Sequence, residues 1–419
     1  MQTTTKTLSL LALSLAAGCA AELDPGDDPV DVQAEEVAPC SGVSVAASEN
    51  LQAKIDARPA GTVFCLGAGT FRVTSQIRPK ANQVFAGKGP TTILDGGKST
   101  PTSFGYSADG VTVRSLVIQN FDAKGLQLET DWVADDLEVR WNPVGIAMHG
   151  LRPVVKSSRI HHNGGPYTTS ATRSFGLTSN DAADGKVLGN DIYANNPNCN
   201  RTGQNGGGAG ANKFWASRRF LLEGNHWHDN FGNGIWLDGS NSDFTIRDEL
   251  VEGNTNLCGG TRSKVGAAQG IRLEVSCRTT IEDSIVRDND QGAIWINGSY
   301  GNVIRNNQLA APAIENGVIR TVDVHRDSPN NGFYLSNCGG GAYKSSDNRY
   351  TGNTVDFVSD RQYVGMVADS GENISNNLFT ANTYRTTSCG QTHWMAQSRR
   401  TWSQWRALGH DTTGRCIAP

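Results

Sequence analysis

Residues 234–312 carry one unit three times over, and a chain built this way has few folds open to it. The units begin Gly234-Ile-Trp-Leu-Asp238, Gly270-Ile-Arg-Leu-Glu274 and Ala293-Ile-Trp-Ile-Asn297. Each starts on a small residue and then alternates strictly. Ile235, Leu237, Ile271, Leu273, Ile294 and Ile296 are apolar, and Trp236, Asp238, Arg272, Glu274, Trp295 and Asn297 lie between or after them. Period two marks a half-buried strand, because successive side chains point to opposite faces. A second apolar run follows each unit (Phe244-Thr-Ile246, Thr280-Ile281, Val303-Ile304), and Asn254, Asn289, Asn306 and Asn307 turn the chain. Gly234 to Gly270 is 36 residues and Gly270 to Ala293 is 23, so the differences sit in loops. No such unit can bury its own apolar face. Neighbours must stack, and strand-only repeats stack into a coiled parallel sheet.

The same pattern runs outward in both directions. Val111-Thr-Val113, Gly125-Leu-Gln-Leu-Glu129, Gly145-Ile-Ala-Met-His149, Gly176-Leu-Thr-Ser-Asn180 and Gly210-Ala-Asn-Lys213-Phe-Trp215 precede the three units; Gly332-Phe-Tyr-Leu-Ser336 and Gly365-Met-Val-Ala-Asp369 follow. On these residues the chain resembles the right-handed parallel β-helix proteins of the pectate-lyase-like superfamily, over roughly residues 45–410. The resemblance implies an all-β right-handed parallel β-helix solenoid with short helical caps at both ends. The expected divisions are a signal peptide at 1–18, an acidic tether at 19–39, an N-terminal cap and first coils at 40–97, the β-helix at 98–395, and a capping helix and tail at 396–419.

The caps have their own signals. Ser48-Glu-Asn-Leu51-Gln-Ala-Lys-Ile55-Asp-Ala57 reads as an amphipathic helix with Ser48 as N-cap and Glu49 in the first turn. Thr401-Trp-Ser-Gln404 is a capping box, with Trp402, Trp405 and Leu408 at helical spacing and Gly409 as the stop. Helices there cover the open ends of the stack, where unpaired strands would aggregate.

The N-terminus points to export. Lys6 precedes a short apolar run from Leu8 to Ala17, too short to span a bilayer. It ends in Leu15-Ala-Ala-Gly18-Cys19, which resembles a bacterial lipobox and implies lipidation of Cys19, with Ala20 favouring the outer membrane. Ordinary signal cleavage near Ala21, giving a periplasmic or secreted protein, is the alternative. Residues 20–39 hold Glu22, Asp24, Asp27, Asp28, Asp31, Glu35 and Glu36 with no basic residue, a composition that does not repay ordering. The remaining cysteines are Cys40, Cys65, Cys199, Cys258, Cys277, Cys338, Cys389 and Cys416, an even number suited to disulfides in an exported chain. Their connectivity is open. The pairing adopted is Cys40–Cys65 and Cys389–Cys416 at the ends, Cys199–Cys258 between equivalent loops, and Cys277–Cys338.

With 48 glycines, 19% charged residues and a net charge of −4, the chain suits many short strands and argues against nucleic acid as a partner. Nothing signals an oligomer, so a monomer is expected.

Stacking turns sequence-distant residues into columns about 4.8 Å apart. One outward column reads Glu129, His149, Asn180, the Lys213/Phe214 position, Asp238, Glu274, Asn297, Ser336 and Asp369. The column beside it reads Gln127, Ala147, Thr178, Asn212, Trp236, Arg272, Trp295 and Tyr334. Loops 163–175, 196–209 and 254–269 all precede this strand and should wall one side of it. Acids, amides and Arg match hydroxyls and uronates, and flat indoles match sugar rings. Asp238, Glu274, Arg272 and Lys213 are the candidate catalytic residues. Trp236, Trp295, Asn297, His149, Asn180 and Tyr334 are the candidate substrate contacts.

Asp238 and Glu274 as close neighbours suit a retaining glycosidase pair, or a Ca²⁺ site completed by Asn297. With Lys213 and Arg272 they also suit β-elimination of a uronate. The motifs of polygalacturonases, the Arg-x-Pro-x-x-Arg of pectate lyases and the Asp-Pro-His-Asp of alginate epimerases are absent. The column resembles calcium-assisted lyases of the alginate and chondroitin type in kind. The expectation is a surface-anchored protein cleaving an acidic polysaccharide, with a non-catalytic glycan-binding or adhesive lipoprotein as the rival. Gly224-Asn-His226-Trp-His228-Asp-Asn230 has metal-ligand residue types, but it occupies the same turn as Gly189-Asn190 and Gly253-Asn254, where Asn ladders account for it.

Overall fold

The computed structural model describes residues 40–105, 108–165, 174–199, 209–258, 261–262, 268–312, 317–322, 337–339, 344–367 and 374–419. The signal segment, the tether and Cys19 lie outside them. Two sheets make the solenoid. One has 11 strands, stacked in chain order from Lys124–Leu128 to Ser398–Arg400. It is parallel throughout except where Trp394–Ala396 and Ser398–Arg400 close it as an antiparallel pair. The other has 24 strands and forms the remaining sides of each coil.

A coil from the repeat region shows the plan. Ile235–Asp238 lies in the 11-stranded sheet, and Thr245–Arg247 and Leu250–Glu252 lie in the other. Between those last two, Asp248 turns the chain at φ 54°; Asp283 and Asn306 do the same in the next coils at 53° and 58°. Short polar side chains tolerate this left-handed backbone. The sequence pattern showed one strand after each unit, whereas the structure has two. Three residues, as in Leu250–Glu252, are too few to display an alternation.

The inward residues form one continuous core. Ile235, Leu237, Ile271, Leu273, Ile294 and Ile296 are all fully buried within it. Aromatic side chains fill both ends: Phe64, Phe85, Phe104 and Trp132 pack in series near the N-terminus, and Tyr350, Phe379 and Trp405 near the C-terminus.

Asparagines hold the corners. Asn142, Asn163, Asn195, Asn230, Asn254 and Asn289 form a ladder in which each Nδ2 donates to the next Oδ1 at 2.8–3.1 Å. This ladder explains why each unit starts on a small residue. A Cβ on Gly234 would lie 2.9 Å from Asn254 Nδ2, and one on Gly270 would lie 2.7 Å from Asn289 Nδ2. A large side chain there would break the ladder that satisfies the buried corner.

The capping helices are Leu51–Asp56 and Trp402–Ala407. The first is capped by Asn50 rather than Ser48: its side chain accepts from Ala53 N at 3.0 Å. Helical geometry starts at Leu51, so Ser48 is too far upstream to reach an orphan N–H. Glu49 instead accepts from Ala46 N and pairs with Lys54. The C-terminal capping box of Thr401 and Gln404 has both of its bonds, and Trp405 is buried over the last coil. All four disulfides, Cys40–Cys65, Cys199–Cys258, Cys277–Cys338 and Cys389–Cys416, are present.

Candidate functional site

The outward face of the 11-stranded sheet carries the candidate residues, and strand register fixes who meets whom. Asp238 pairs with Glu274, and Glu274 with Asn297. Trp236 pairs with Arg272, Arg272 with Trp295, and Trp295 with Arg320. Thr178 pairs with Lys213, Asn180 with Trp215, and Phe214 with Leu237. Phe214 is therefore a core residue, which corrects the first column: its member on this strand is Trp215, with His149 and Asn180 below it. Lys213 belongs to the second column, under Trp236.

Asn212 is also corrected. It points inward, where its amide donates to Gly234 O and accepts from Trp236 N, so it clamps backbone and is not a surface group. Tyr334, Ser336 and Asp369 lie outside the described residues. The places assigned to them in the stack are held by Gly317–Val322 and Tyr363–Val367. That register brings in Arg320, which the sequence reading passed over. Its signal was available: Ile319 follows Ile294 by 25 residues, close to the preceding repeat, but the Gly332 unit looked like a better match.

The assembled face is a ladder of alternating cations and indoles. Lys213 Nζ sits 4.2 Å from the Trp236 ring centre, and the Arg272 guanidinium 5.2 Å from the same ring. Arg272 is 4.9 Å from the Trp295 ring, and Arg320 5.1 Å from it. Alongside runs a line of acids. Lys213 Nζ reaches Asp238 Oδ2 at 2.6 Å, with side chains only 10% and 15% exposed. Arg272 reaches Glu274 Oε2 at 3.0 Å, at 15% and 7%. Trp236 Nε1 donates to the same Glu274 oxygen at 3.1 Å.

These exposures rule out a plainly solvated strand face. Buried ion pairs seldom add net stability, so two of them side by side call for another use. Four buried polar atoms on this face have no hydrogen-bond partner among the described residues: Arg272 Nε, Trp295 Nε1, Asn297 Oδ1 and Arg320 Nε. They come from three consecutive strands. Groups of this kind are uncommon in folded proteins and are matched by solvent, an ion or a ligand, or else held under strain.

A calcium ion does not fit between Asp238, Glu274 and Asn297. Ca²⁺ takes roughly six to eight oxygens. Among the described residues only these three side chains are placed by register to offer them here, and both carboxylates already hold a protein cation.

The approaches to two of the long loops are described. Asn196–Cys199 and Asn254–Cys258 lead into them, and the Cys199–Cys258 disulfide ties them together across the intervening coil whose corner is Asn230.

A family profile described as a right-handed β-helix region matches residues 173–309. Solved structures align over most of the chain. A PL6 family polysaccharide lyase from Pseudopedobacter saltans superposes with TM-score 0.53 and 14% identity, covering 90% of this chain and 92% of its own. The A-module of a mannuronan C-5 epimerase from Azotobacter vinelandii gives 0.52 and 18%, covering 78% and 89%. The chain folds as a right-handed parallel β-helix. The Dettilon tailspike protein shares that fold at TM-score 0.54 and 12% identity, over 84% of this chain and 68% of its own. In sequence, the tail spike protein of Salmonella phage epsilon15 is 26% identical over 230 residues, which is 50% of this chain and 19% of that protein.

Proposed function

We propose that the face bearing Lys213, Trp236, Arg272, Trp295 and Arg320 binds an acidic polysaccharide and cleaves it by β-elimination. The observation that carries the reading is the alternation itself. Cations recur on every second strand, about 10 Å apart at the spacing of a parallel sheet, and an indole lies between each pair. An extended polymer of sugar rings with periodic carboxylates presents the complementary pattern: charge for the cations, ring faces for the indoles. The four orphaned polar atoms would find partners in its hydroxyls and carboxylates. Polysaccharide lyases and a mannuronan epimerase by name share this fold, which is in keeping with the reading.

The ion pairs favour elimination over hydrolysis. Hydrolysis needs one carboxyl as proton donor, and both acids here are held as ion-pair acceptors. A uronate carboxylate entering the face competes for Lys213 and Arg272. Asp238, released from Lys213, takes the proton alpha to that carboxylate. Arg272 offsets the enolate charge. The glycosidic C–O bond then breaks, and the departing oxygen takes a proton from the Lys213 ammonium.

A second reading, binding without cleavage, is favoured by the same pairing: Lys213, Asp238, Arg272 and Glu274 are all engaged in ion pairs before any ligand arrives. Incubation with alginate, pectate and glycosaminoglycans, followed by ultraviolet absorbance of unsaturated ends and by reducing-sugar release, separates the two. Elimination predicts new absorbance that Asp238→Asn and Arg272→Leu abolish in folded protein. Saturable binding with no product from any polymer moves the protein to the second reading. Unchanged rates in both variants would remove this site altogether.

A further inference from the structure

The strand His226–His228 belongs to the 24-stranded sheet, away from the cation–indole face. Trp227 points into the core, so His226 and His228 both point outward. Asn225 and Asn230 take the ladder positions, as expected, but the histidines themselves sit on a strand and not in the turn. In register below them are Asp191 and Tyr193; above are Leu250 and Glu252.

The two rings stack at 4.0 Å between centroids and turn one nitrogen each toward Asp191. Asp191 Oδ1 lies 2.9 Å from His228 Nε2 and 3.9 Å from His226 Nδ1. All three donor atoms lie within 4.8 Å of one another. The remote nitrogens are held by further carboxylates: His228 Nδ1 by Asp229 at 2.7 Å, and His226 Nε2 by Glu252 at 3.1 Å. Arg287 in turn fixes Glu252 at 2.7 Å. Tyr193 stacks on His228 and covers one flank.

We propose that Asp191, His226 and His228 hold a divalent transition-metal ion of the zinc class. Two imidazoles and one carboxylate suit zinc, cobalt, nickel or copper rather than calcium or magnesium. Metal–ligand bonds of about 2.0–2.1 Å in a tetrahedron place ligands roughly 3.3 Å apart, and the two separations from Asp191 bracket that value. A carboxylate behind each metal-binding imidazole is the usual outer arrangement, fixing the tautomer and ring direction. The surface around it offers a contrast. Neighbouring outward positions carry Arg–carboxylate pairs, such as Arg159–Glu138, Arg247–Glu223 and Arg305–Glu282. Arg serves a simple surface ion pair well, whereas only here do two histidines converge on one acid among the described residues. The metal displaces the proton shared between Asp191 and His228, and solvent fills the fourth position.

Titration of chelator-treated full-length protein with Co²⁺, read by visible absorption, and with Zn²⁺, read by calorimetry, tests the site. One equivalent should bind with a tetrahedral cobalt spectrum. His226→Ala and His228→Ala should each abolish that spectrum, and Glu252→Gln should weaken binding by about 10-fold or more. Circular dichroism of each variant checks that the coils remain. The proposal is overturned if no saturable uptake occurs, or if uptake persists in the folded His226→Ala/His228→Ala double variant.

Discussion

Lys213→Met tests whether the buried charges serve the scaffold or the site. The substitution keeps a linear stem over the Trp236 ring but removes the ammonium 2.6 Å from Asp238 Oδ2. The Asp238 carboxyl is then left without its cation next to Glu274, its register partner, with its side chain only 15% exposed. Removing one member of a buried pair costs about 3–5 kcal/mol, and the residual exposure here points to the lower end, about 3 kcal/mol. Adding Asp238→Asn in the same chain replaces the stranded carboxyl with a neutral amide of the same shape. The double variant should therefore recover to within about 1 kcal/mol of the parent, since replacing both members of such a pair is often neutral. Urea unfolding of the parent, both singles and the double measures this directly, with polymer binding measured on the same samples. The expected result is a double variant that is stable and binds poorly. If the second substitution instead adds its own full loss, the pair is part of the scaffold, and the argument that it exists for a ligand is refuted.

Glu249 should make stability depend on pH. Burial pushes its carboxyl up to about 8, against the hydrogen bonds from Asn225 and Trp227, which lower it. The folded state therefore holds a proton that the unfolded state releases above its ordinary value, so stability falls as pH rises from about 4.5 to about 8 and is flat beyond, by at most about 5 kcal/mol. Thermal unfolding of the parent and of Glu249→Gln/Trp227→Phe across that range should show the slope in the first and its loss in the second; equal slopes would assign it to other groups. Asn254→Leu should cost about 2–4 kcal/mol by removing the acceptor of the Asn230 amide and the donor to the Trp227 and Glu252 carbonyls, and a loss under 1 kcal/mol in denaturant melts would show that the ladder is dispensable.

The coils were legible because Ile235 and Leu237, Ile271 and Leu273, and Ile294 and Ile296 obey period two in three successive units, and because Gly234 and Gly270 mark where the Asn ladder passes. The pairing of Asp238 with Glu274 and of Trp236 with Arg272 followed from that alternation alone. Register slipped where two small residues stand side by side: Ala211, not Gly210, is in phase with Gly176 and Gly234. In Gly210–Trp215 the inward positions are filled by Asn212 and Phe214, so a polar residue inside and a charged one outside could be exchanged on paper by shifting one place. Only the hydrogen bonds of Asn212 to neighbouring backbone decide the matter, and those belong to tertiary structure. Arg320 was lost for a related reason: a better-looking unit at Gly332 competed with the strand that the stack uses. The convergence of His226 and His228 on Asp191 could not be read at all, since Asp191 is 35 residues upstream of His226 and meets it only through the register of two three-residue strands.

In a solenoid of this kind the fold and the outward surface are set by different residues. Buried Ile, Leu and Phe and the Asn corners hold the coils whatever the outward side chains are, so those side chains answer only to solvent or to a ligand. Over much of the 24-stranded sheet they answer to solvent: Arg247 with Glu223 and Arg287 with Glu252 are ion pairs with at least one half-exposed partner. Such pairs contribute little and need little. The cation–indole face departs from that pattern in composition, burial and hydrogen-bond satisfaction at once. It places large apolar rings outward, covers charges that solvent would otherwise serve, and leaves Asn297 Oδ1 and Trp295 Nε1 unmatched. Stacking of the coils does not require any of these departures, because aliphatic or neutral polar side chains serve it elsewhere in the sheet. Its contacts do cross from coil to coil, as Lys213–Asp238 and Trp236–Glu274 show, but they do so with groups that are costly to cover, and the function proposed above, binding of an extended acidic polymer, accounts for that choice of side chains.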